Sequence, residues 1–253
     1  DEDLAVLESN GLLEVEDNDL SSRALERGLR ALGTLGSGNH FMELQSVEQV
    51  ADQETAKQWG LYEGQLLAMI HSGSRGLGHQ VCSEHSRKLE QKYRKTAEGW
   101  HSEEYGFTLS DRQLACAPMH SKAGQDYLNQ MNAAANFAFA NRSALAHRLR
   151  EVLKLEMGID GEARTLYDVA HNIAKIETHN LHGKNCQCAV HRKGATRAFA
   201  GDSGHIEASF HKTGQPVLVP GDMGTGSWIM AGPQTGQNQA FGSSCHGAGG
   251  ALS

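Results

Sequence analysis

The sequence has few of the features that mark a secreted, membrane or disulfide-bonded protein. No apolar run approaches the roughly 20 residues that a membrane-spanning helix needs. The acidic start, Asp1-Glu2-Asp3, lacks the basic and apolar parts of a signal peptide. Five cysteines, an odd number, do not suit a disulfide framework. We therefore expect a cytoplasmic protein with reduced thiols and no membrane partner.

Excess positive charge is also lacking. Lysine and arginine number 23 against 30 aspartate and glutamate residues, for a formal net charge of −7. A protein that binds nucleic acid through bulk charge is basic. A nucleic acid would therefore have to be held by a local basic patch or through a metal centre.

The pattern of apolar residues predicts an α+β fold, a single domain of mixed β-sheets with flanking helices over residues 1–253, because no linker-like stretch divides the chain. The predicted helices are one or two within 1–31, then 47–58, His79–Lys95 and Ala123–Leu155. The predicted strands are His40–Gln45, Gln65–Ile70, Tyr167–Val169 and Val217–Pro220.

Histidine is abundant, with 14 residues, and three histidines adjoin predicted strands. His40 begins one strand, whereas His71 and His171 follow others. Because a strand end presents a side chain on a rigid backbone, three such imidazoles would make most of a divalent metal site. A structural role for each histidine is equally compatible with the sequence, since spacing alone does not bring the three together.

The 29 glycines include three clusters that suit anion binding, at Ser72–Gly76, Pro220–Ser227 and His246–Gly250. Glycine lets several backbone N–H groups point at one phosphate, and Arg75 would add a bidentate donor. His191–Arg197 is a local basic patch in an acidic chain. Ordinary turns and a solvated face are the simpler interpretations of each feature alone.

Six segments, in this order along the chain, resemble the motifs of the RtcB family of RNA-splicing ligases. They are Leu32–Glu43, His71–Gly78, His171–Lys175, His191–Arg197, Pro220–Ser227 and Ser244–Gly249. The resemblance implies an enzyme of tRNA splicing and RNA repair that uses GTP and two Mn²⁺ ions. Such enzymes join an RNA 2′,3′-cyclic phosphate or 3′-phosphate end to a 5′-hydroxyl end through a histidine–GMP intermediate. The resemblance is also compatible with an activating helper protein.

Position within these motifs implies a role for individual residues. His246 would be the nucleophile, His40 would bind one Mn²⁺, and His71 and His171 would bind the second. Arg75 and Lys193 would hold RNA phosphate. The residues implied in guanylate binding are Asn39, His40, Phe41, Met42, Glu43, His171, Asn172, Pro220, Gly221, Asp222, Met223, Ser227, His246, Gly247, Ala248 and Gly249.

The sequence also departs from the family's pattern. The Asp-x-x-Cys that supplies an aspartate and a bridging cysteine to the metals has no match before His40. Gly250 stands where arginine is common, Asp222 stands where many members have serine or threonine, and family members continue beyond the nucleophile motif. We therefore expect an internal part of a longer protein, lacking N- and C-terminal parts and weakly active or inactive by itself.

Two other functions remain compatible with the residues. A metal-dependent phosphoesterase would use the same histidines to hydrolyse a cyclic phosphate without GTP. A non-catalytic nucleotide- or RNA-binding fragment would bind its ligand without forming histidine-linked GMP.

Overall fold

The computed structural model describes residues 3–16, 19–158, 163–222, 224–233 and 240–247. Met223, Ala248 and Gly249, three of the predicted guanylate-binding residues, lie outside the described residues. Within the described ranges the α-helices are α1 (Ser22–Leu29), α2 (Gln53–Trp59), α3 (Arg75–Glu90) and α4 (Lys122–Met157). The strands are β1 (Phe41–Ser46), β2 (Leu66–His71), β3 (Arg94–Thr96), β4 (Gly99–Ser102), β5 (Phe107–Leu109), β6 (Asn172–Leu181), β7 (Lys184–Lys193), β8 (Ala195–Arg197), β9 (Pro216–Val219), β10 (Trp228–Ala231) and β11 (Ser243–Cys245).

The predicted α+β class is confirmed. The strands form several small antiparallel sheets, which pair β1 with β2, β6 with β7, β8 with β11 and β9 with β10, and join β3, β4 and β5 in a meander. Contacts group the chain into two compact units. The first unit comprises Asp1–Leu12, Asn39–His71 and His147–Ser253, and the second comprises Leu13–Gly38 and Ser72–Ala146. The assignment of all 253 residues to one catalytic domain stays a prediction.

The core of the first unit is aromatic. Tyr167, Phe199, Ile206 and Phe210 are buried together, and Trp59 packs against them. The ring edges meet at right angles, with 5.2 Å between the centroids of Tyr167 and Phe210. Such pairs stabilise a core beyond the area they bury.

The second unit packs α1 against α3 around Ala24, Leu77 and Val81. Nearby, the fully buried Asn141 organises a glycine-rich turn. Its Oδ1 accepts hydrogen bonds from the backbone N–H of Gly33 at 2.7 Å and of Thr34 at 3.2 Å. One buried amide therefore satisfies backbone groups that would otherwise lack partners.

Several predicted elements differ from the observed ones. The region 1–31 has only α1 as an α-helix in its described part, with short 3₁₀ turns at Asp3–Val6 and Glu8–Gly11. The helix predicted to reach Lys95 ends at Glu90, and the predicted strand Tyr167–Val169 is one isolated bridge between Leu7 and Asp168. His171 therefore precedes β6 rather than following a strand.

The longest helix, α4, has 36 residues. Its length would be enough to cross a bilayer, but polar and charged residues recur along it. Among the described residues, no helix combines the length and the apolar character that a membrane span requires.

Candidate functional site

Three histidines from distant segments of the first unit converge. His71 is the last residue of β2, His171 immediately precedes β6, and His246 immediately follows β11. The Nε2 atoms of His71 and His171 are 3.0 Å apart. The rings of His171 and His246 stack with 3.6 Å between centroids and 5° between planes. One ring nitrogen from each histidine lies within 4.8 Å of the other two, and we call this group the histidine centre.

Backbone hydrogen bonds around Gly194 connect two of these histidines. The Gly194 N–H donates to Asn172 Oδ1 at 3.0 Å, and the Gly194 carbonyl accepts from the His246 N–H at 3.2 Å. The neighbouring Ala195 N–H donates to the His171 carbonyl at 3.3 Å. The junction of β7 and β8 therefore fixes the chain on both sides of the stacked rings.

The surroundings of His171 and His246 favour neutral imidazole. Burial, followed by electrostatic interactions with His246, His71 and Lys193, lowers the pKa of His171 to about 3. Burial and the Lys193 ammonium also lower the pKa of His246. Neutral imidazole is the form that ligates metals and the form that can act as a nucleophile.

The residues present fit a divalent metal ion. The 3.0 Å between the ring nitrogens of His71 and His171 is close to the spacing of about 3 Å that neighbouring ligands adopt about 2.1 Å from one ion. His171 Nδ1 is buried and has no hydrogen-bond partner among the described residues. Nitrogen donors of this kind suit Mn²⁺, Zn²⁺ and related ions.

His40 lies next to this group. Its ring centroid is 5.7 Å from that of His71, and the planes meet at 63°. Of the three histidines predicted as metal ligands, His71 and His171 are therefore side by side, His40 adjoins His71, and the predicted nucleophile His246 completes the group.

One face of β1 lies next to His71 and carries further polar groups of the candidate site. Phe41 pairs directly with His71, and their rings meet edge to face at 5.3 Å. Glu43 and Gln45 follow on the same face, because side chains alternate along a strand. Gln45 Nε2 donates to Glu43 Oε2 at 2.8 Å and to Ser227 Oγ at 3.0 Å. Gln45 was not among the residues predicted from the sequence, although the alternation of Phe41, Glu43 and Gln45 in β1 was the available signal.

The loop Pro220–Ser227 joins β9 to β10 and has a tight backbone at Gly221. The Gly221 N–H donates to Ser227 Oγ at 3.1 Å. A Cβ atom on Gly221 would collide with the carbonyl oxygens of Thr225 and Gly226, so a side chain cannot fit there. Asp222 Oδ1 accepts from the Gly224 N–H at 2.8 Å, and hydrogen bonds from Gly224 and Thr225 lower the pKa of the Asp222 carboxyl.

Comparison with known proteins agrees with this assembly of motifs. The family model described as tRNA-splicing ligase RtcB matches residues 1–253. The chain belongs to the RtcB family.

Curated relatives in the RtcB family are similar to the chain along almost its whole length. The tRNA-splicing ligase RtcB of Thermococcus kodakarensis is 48% identical over 99% of the chain, and that of Archaeoglobus fulgidus is 46% identical over 99%. The protein of the same name from Pyrococcus furiosus is 47% identical over 99% of the chain. The chain spans 51% of the length of the first two relatives and 26% of the third.

The two predicted RNA-phosphate residues of this RtcB-family chain fall in different units. Lys193 ends β7 in the first unit, close enough to His171 and His246 to lower the pKa of both. Arg75 begins α3 in the second unit. Its backbone φ is +53°, and its Nε donates to Thr34 Oγ1 at 3.4 Å.

Glu8, which was also not predicted from the sequence, contacts the chain next to His171 of the histidine centre. Its Oε2 accepts from the Ala170 N–H at 2.9 Å, one residue before His171. Its other oxygen pairs with the Lys175 ammonium at 2.9 Å. No motif marks Glu8; the only signal is a carboxylate at the end of the apolar run Leu4–Leu7.

Proposed function

We propose that this chain carries the reaction centre of an RNA ligase that joins an RNA 3′-phosphate or 2′,3′-cyclic phosphate end to a 5′-hydroxyl end, as in tRNA splicing and RNA repair. The observation that carries the proposal is the position of His246, stacked on His171 beside His71 in a chain that belongs to the RtcB family over residues 1–253. A nucleophile set directly beside candidate metal ligands suits attack on a nucleoside triphosphate.

In the first step a ring nitrogen of His246 attacks the α-phosphorus of GTP. A P–N bond forms, the bond from the α-phosphorus to the bridging oxygen breaks, and pyrophosphate leaves. Because its pKa is lowered, His246 is neutral near pH 7 and has a lone pair for this attack. The ring of His246 stacks on that of His171, and its backbone N–H donates a hydrogen bond to the Gly194 carbonyl. Both contacts hold His246 in place.

His71 and His171, with His40 adjoining, would hold the metal ions, for which we propose two Mn²⁺. Bound divalent ions neutralise phosphate charge and stabilise the charge that develops during transfer. Lys193 adds one positive charge beside the same histidines. This local positive charge explains how a chain with a net charge of −7 could accept polyanionic substrates.

In the next steps GMP passes to the RNA. A 2′,3′-cyclic phosphate is first opened by water to a 3′-phosphate. An oxygen of the 3′-phosphate attacks the phosphorus of the histidine-linked GMP, so that a P–O bond forms, the P–N bond breaks and His246 is regenerated. The 5′-hydroxyl oxygen of the second RNA then attacks the activated 3′-phosphorus, GMP leaves, and the hydroxyl proton passes to solvent. Arg75 and Lys193 are the candidates for holding RNA phosphate.

Guanylate binding is proposed at the β1 face and the loop Pro220–Ser227. Glu43, Gln45 and Ser227 form a connected row of hydrogen-bonding groups, which suits the donors and acceptors at the edge of a guanine base. The tight backbone at Gly221 lets a nucleotide approach the main chain closely. Asn39, His40, Phe41, Met42, Asn172, Pro220, Asp222 and Gly247 remain proposed contacts, together with Met223, Ala248 and Gly249 outside the described residues.

The test is covalent labelling of the full-length gene product with α-³²P-labelled GTP and Mn²⁺. We expect acid-labile label on the wild type and none on His246→Ala. His211→Ala, an exposed histidine of the first unit, is the matched control and should label normally. Label that persists in His246→Ala would reject this nucleophile. Hydrolysis of a cyclic phosphate without GTP and without label would favour the phosphoesterase, and GTP binding alone would favour the non-catalytic fragment.

A further inference from the structure

A cavity of about 360 Å³ lies in the first unit, at the far end of the β6–β7 hairpin from the histidine centre. The residues that line it come from the two hairpin strands near their turn, from the segment 199–205 and from Gly242. None of the residues to which the guanylate, metal or RNA-phosphate roles are assigned lines this cavity. We call it the hairpin cavity.

Three aromatic rings line the hairpin cavity, and their planes differ by 22° to 32°. His179 lies 22° from the plane of Phe199 and 23° from that of His205, with centroids 6.1 and 6.3 Å away. Phe199 and His205 are 5.2 Å apart at 32°. The Arg197 guanidinium lies 4.7 Å from the Phe199 centroid, and the ring of His205 reaches the Thr178 carbonyl at 3.3 Å. The rings are therefore fixed by contacts on several sides.

The remaining lining groups are polar but mostly uncharged. Asn180 and Asn185 supply amides, Ser203 supplies a hydroxyl and Asp202 supplies a carboxylate. Among the described residues that line the cavity none is lysine or arginine, so its chemistry does not suit a phosphate. A flat ring with donors and acceptors along its edge matches both the aromatic rings and the amides. A nucleobase has these properties, and stacking on aromatic side chains is how proteins commonly bind unpaired bases.

The outward face of the hairpin runs from the end next to the histidine centre to the turn beside the hairpin cavity. Asn172, Ile176 and Thr178 of β6 are exposed, and so are Lys193, His191 and Gln187 of β7. The single acidic residue within 172–193 is Glu177, which is buried on the opposite face and paired with Arg192 at 2.7 Å. The two hairpin strands therefore present no carboxylate to a polyanion on this face, although the chain as a whole carries a net charge of −7.

We infer that the hairpin cavity is a base-binding subsite for the RNA strand whose 3′ end reacts at the histidine centre. This inference rests on the proposed function for the identity of the strand. At about 3.4 Å per residue, the segment from Asn172 to Asn180 spans about 27 Å. At about 3.4 Å per stacked nucleotide, that distance corresponds to about eight nucleotides from the 3′ end.

The length of the RNA tests the inference. Anisotropy of fluorescein-labelled, 3′-phosphorylated RNAs of 4 and 12 nucleotides gives Kd for the full-length gene product. We expect the longer RNA to bind more tightly, and His205→Ala to weaken its binding at least about fivefold through the loss of one stacking ring while leaving the 4-nucleotide RNA unchanged. An abasic nucleotide about eight positions from the 3′ end should reproduce the loss in the wild type.

Two further variants keep the test decisive. Asn185→Ala removes an exposed amide of the cavity and should act in the same direction if His205→Ala does not fold, whereas His211→Ala, outside the cavity, should bind like the wild type. Equal affinity for both RNAs, or wild-type affinity of both cavity variants for the longer one, would overturn the subsite. Labelling of His246 together with RNA binding that does not depend on length would overturn the subsite alone, and length-dependent binding without labelling would overturn the proposed function alone.

Discussion

At the scale of single residues, Glu8 links the buried ion pairs of the first unit to the histidine centre. Its side chain is fully buried, and it contacts Lys175 and the N–H that precedes His171. Burial raises the pKa of the Glu8 carboxyl, but the positive charges of Lys175 and Arg197 outweigh burial and lower it overall. The carboxylate is therefore charged at neutral pH and holds two buried cations in place.

Glu8→Gln should reduce the free energy of unfolding by about 3–5 kcal/mol, because it leaves buried cations without their counter-charge. Urea unfolding followed by tryptophan fluorescence measures the change. Glu48→Gln, an exposed site on the same unit, should change stability by less than about 0.5 kcal/mol. Equal stability of the two variants would show that solvent, rather than Glu8, compensates Lys175.

The distances within the site could not be read from the sequence. His71 and His171 are 100 positions apart, and His246 is another 75 positions further. Spacing of this kind fixes no geometry, so the prediction of a joint metal site rested on the family motifs. Glu8 and Gln45 act through contacts to residues far along the chain, and neither belongs to a motif.

At the scale of elements, prediction succeeded where the apolar period was regular. The stripe of Tyr127, Met131 and Phe139 predicted a helix over Ala123–Leu155, and α4 covers Lys122–Met157. Strands β1 and β2 also lie within one residue of their predicted bounds. Local periodicity determined these elements, because each has one face to bury.

The β6–β7 hairpin was not predicted, because its buried face is partly ionic. Lys175, Glu177 and His179 point inward on β6, and Arg192 does so on β7. The Lys175 ammonium pairs with Glu8, and the Arg192 guanidinium pairs with Glu177 across the sheet. Alternation of polarity, which identifies a strand in the sequence, is therefore absent where buried residues are charged.

The turn of this hairpin holds two residues in left-handed backbone conformations. His182 and Gly183 form a two-residue loop with φ of +51° and +81°, which is what a type I′ turn requires. Histidine is strained in this conformation and asparagine tolerates it better. We expect His182→Asn to raise the free energy of unfolding by about 0.5–1 kcal/mol and Gly183→Ala to lower it by about 1 kcal/mol.

Urea unfolding again provides the measurement for the turn variants. Gly204→Ala is the control, because a Cβ atom there meets no neighbour within 4 Å and its φ lies outside the left-handed region. It should leave stability nearly unchanged. A loss in His182→Asn equal to that in Gly183→Ala would mean that the histidine side chain itself stabilises the turn.

At the scale of the whole molecule, acid should destabilise the protein through its buried carboxylates. Burial raises the pKa of both Glu8 and Glu177. At Glu8 the positive charges of Lys175 and Arg197 outweigh the effect of burial. At Glu177 hydrogen bonds from Arg192 and His179 outweigh the effect of burial. Both pKa values therefore lie below the ordinary 4.5 in the folded state. Below that pH the unfolded chain binds more protons than the folded one, so the free energy of unfolding falls as the pH falls.

Stability measured by urea unfolding should accordingly vary little with these groups between about pH 5 and about pH 7 and decline below the ordinary value of 4.5. Glu8→Gln lacks one of the two carboxylates, so its acid decline should be shallower than that of the wild type, although its stability at neutral pH is lower. An acid decline of the same slope in both proteins would show that the pKa of Glu8 is not lowered by folding, and that the ion pairs beneath the histidine centre contribute little to the stability of the first unit.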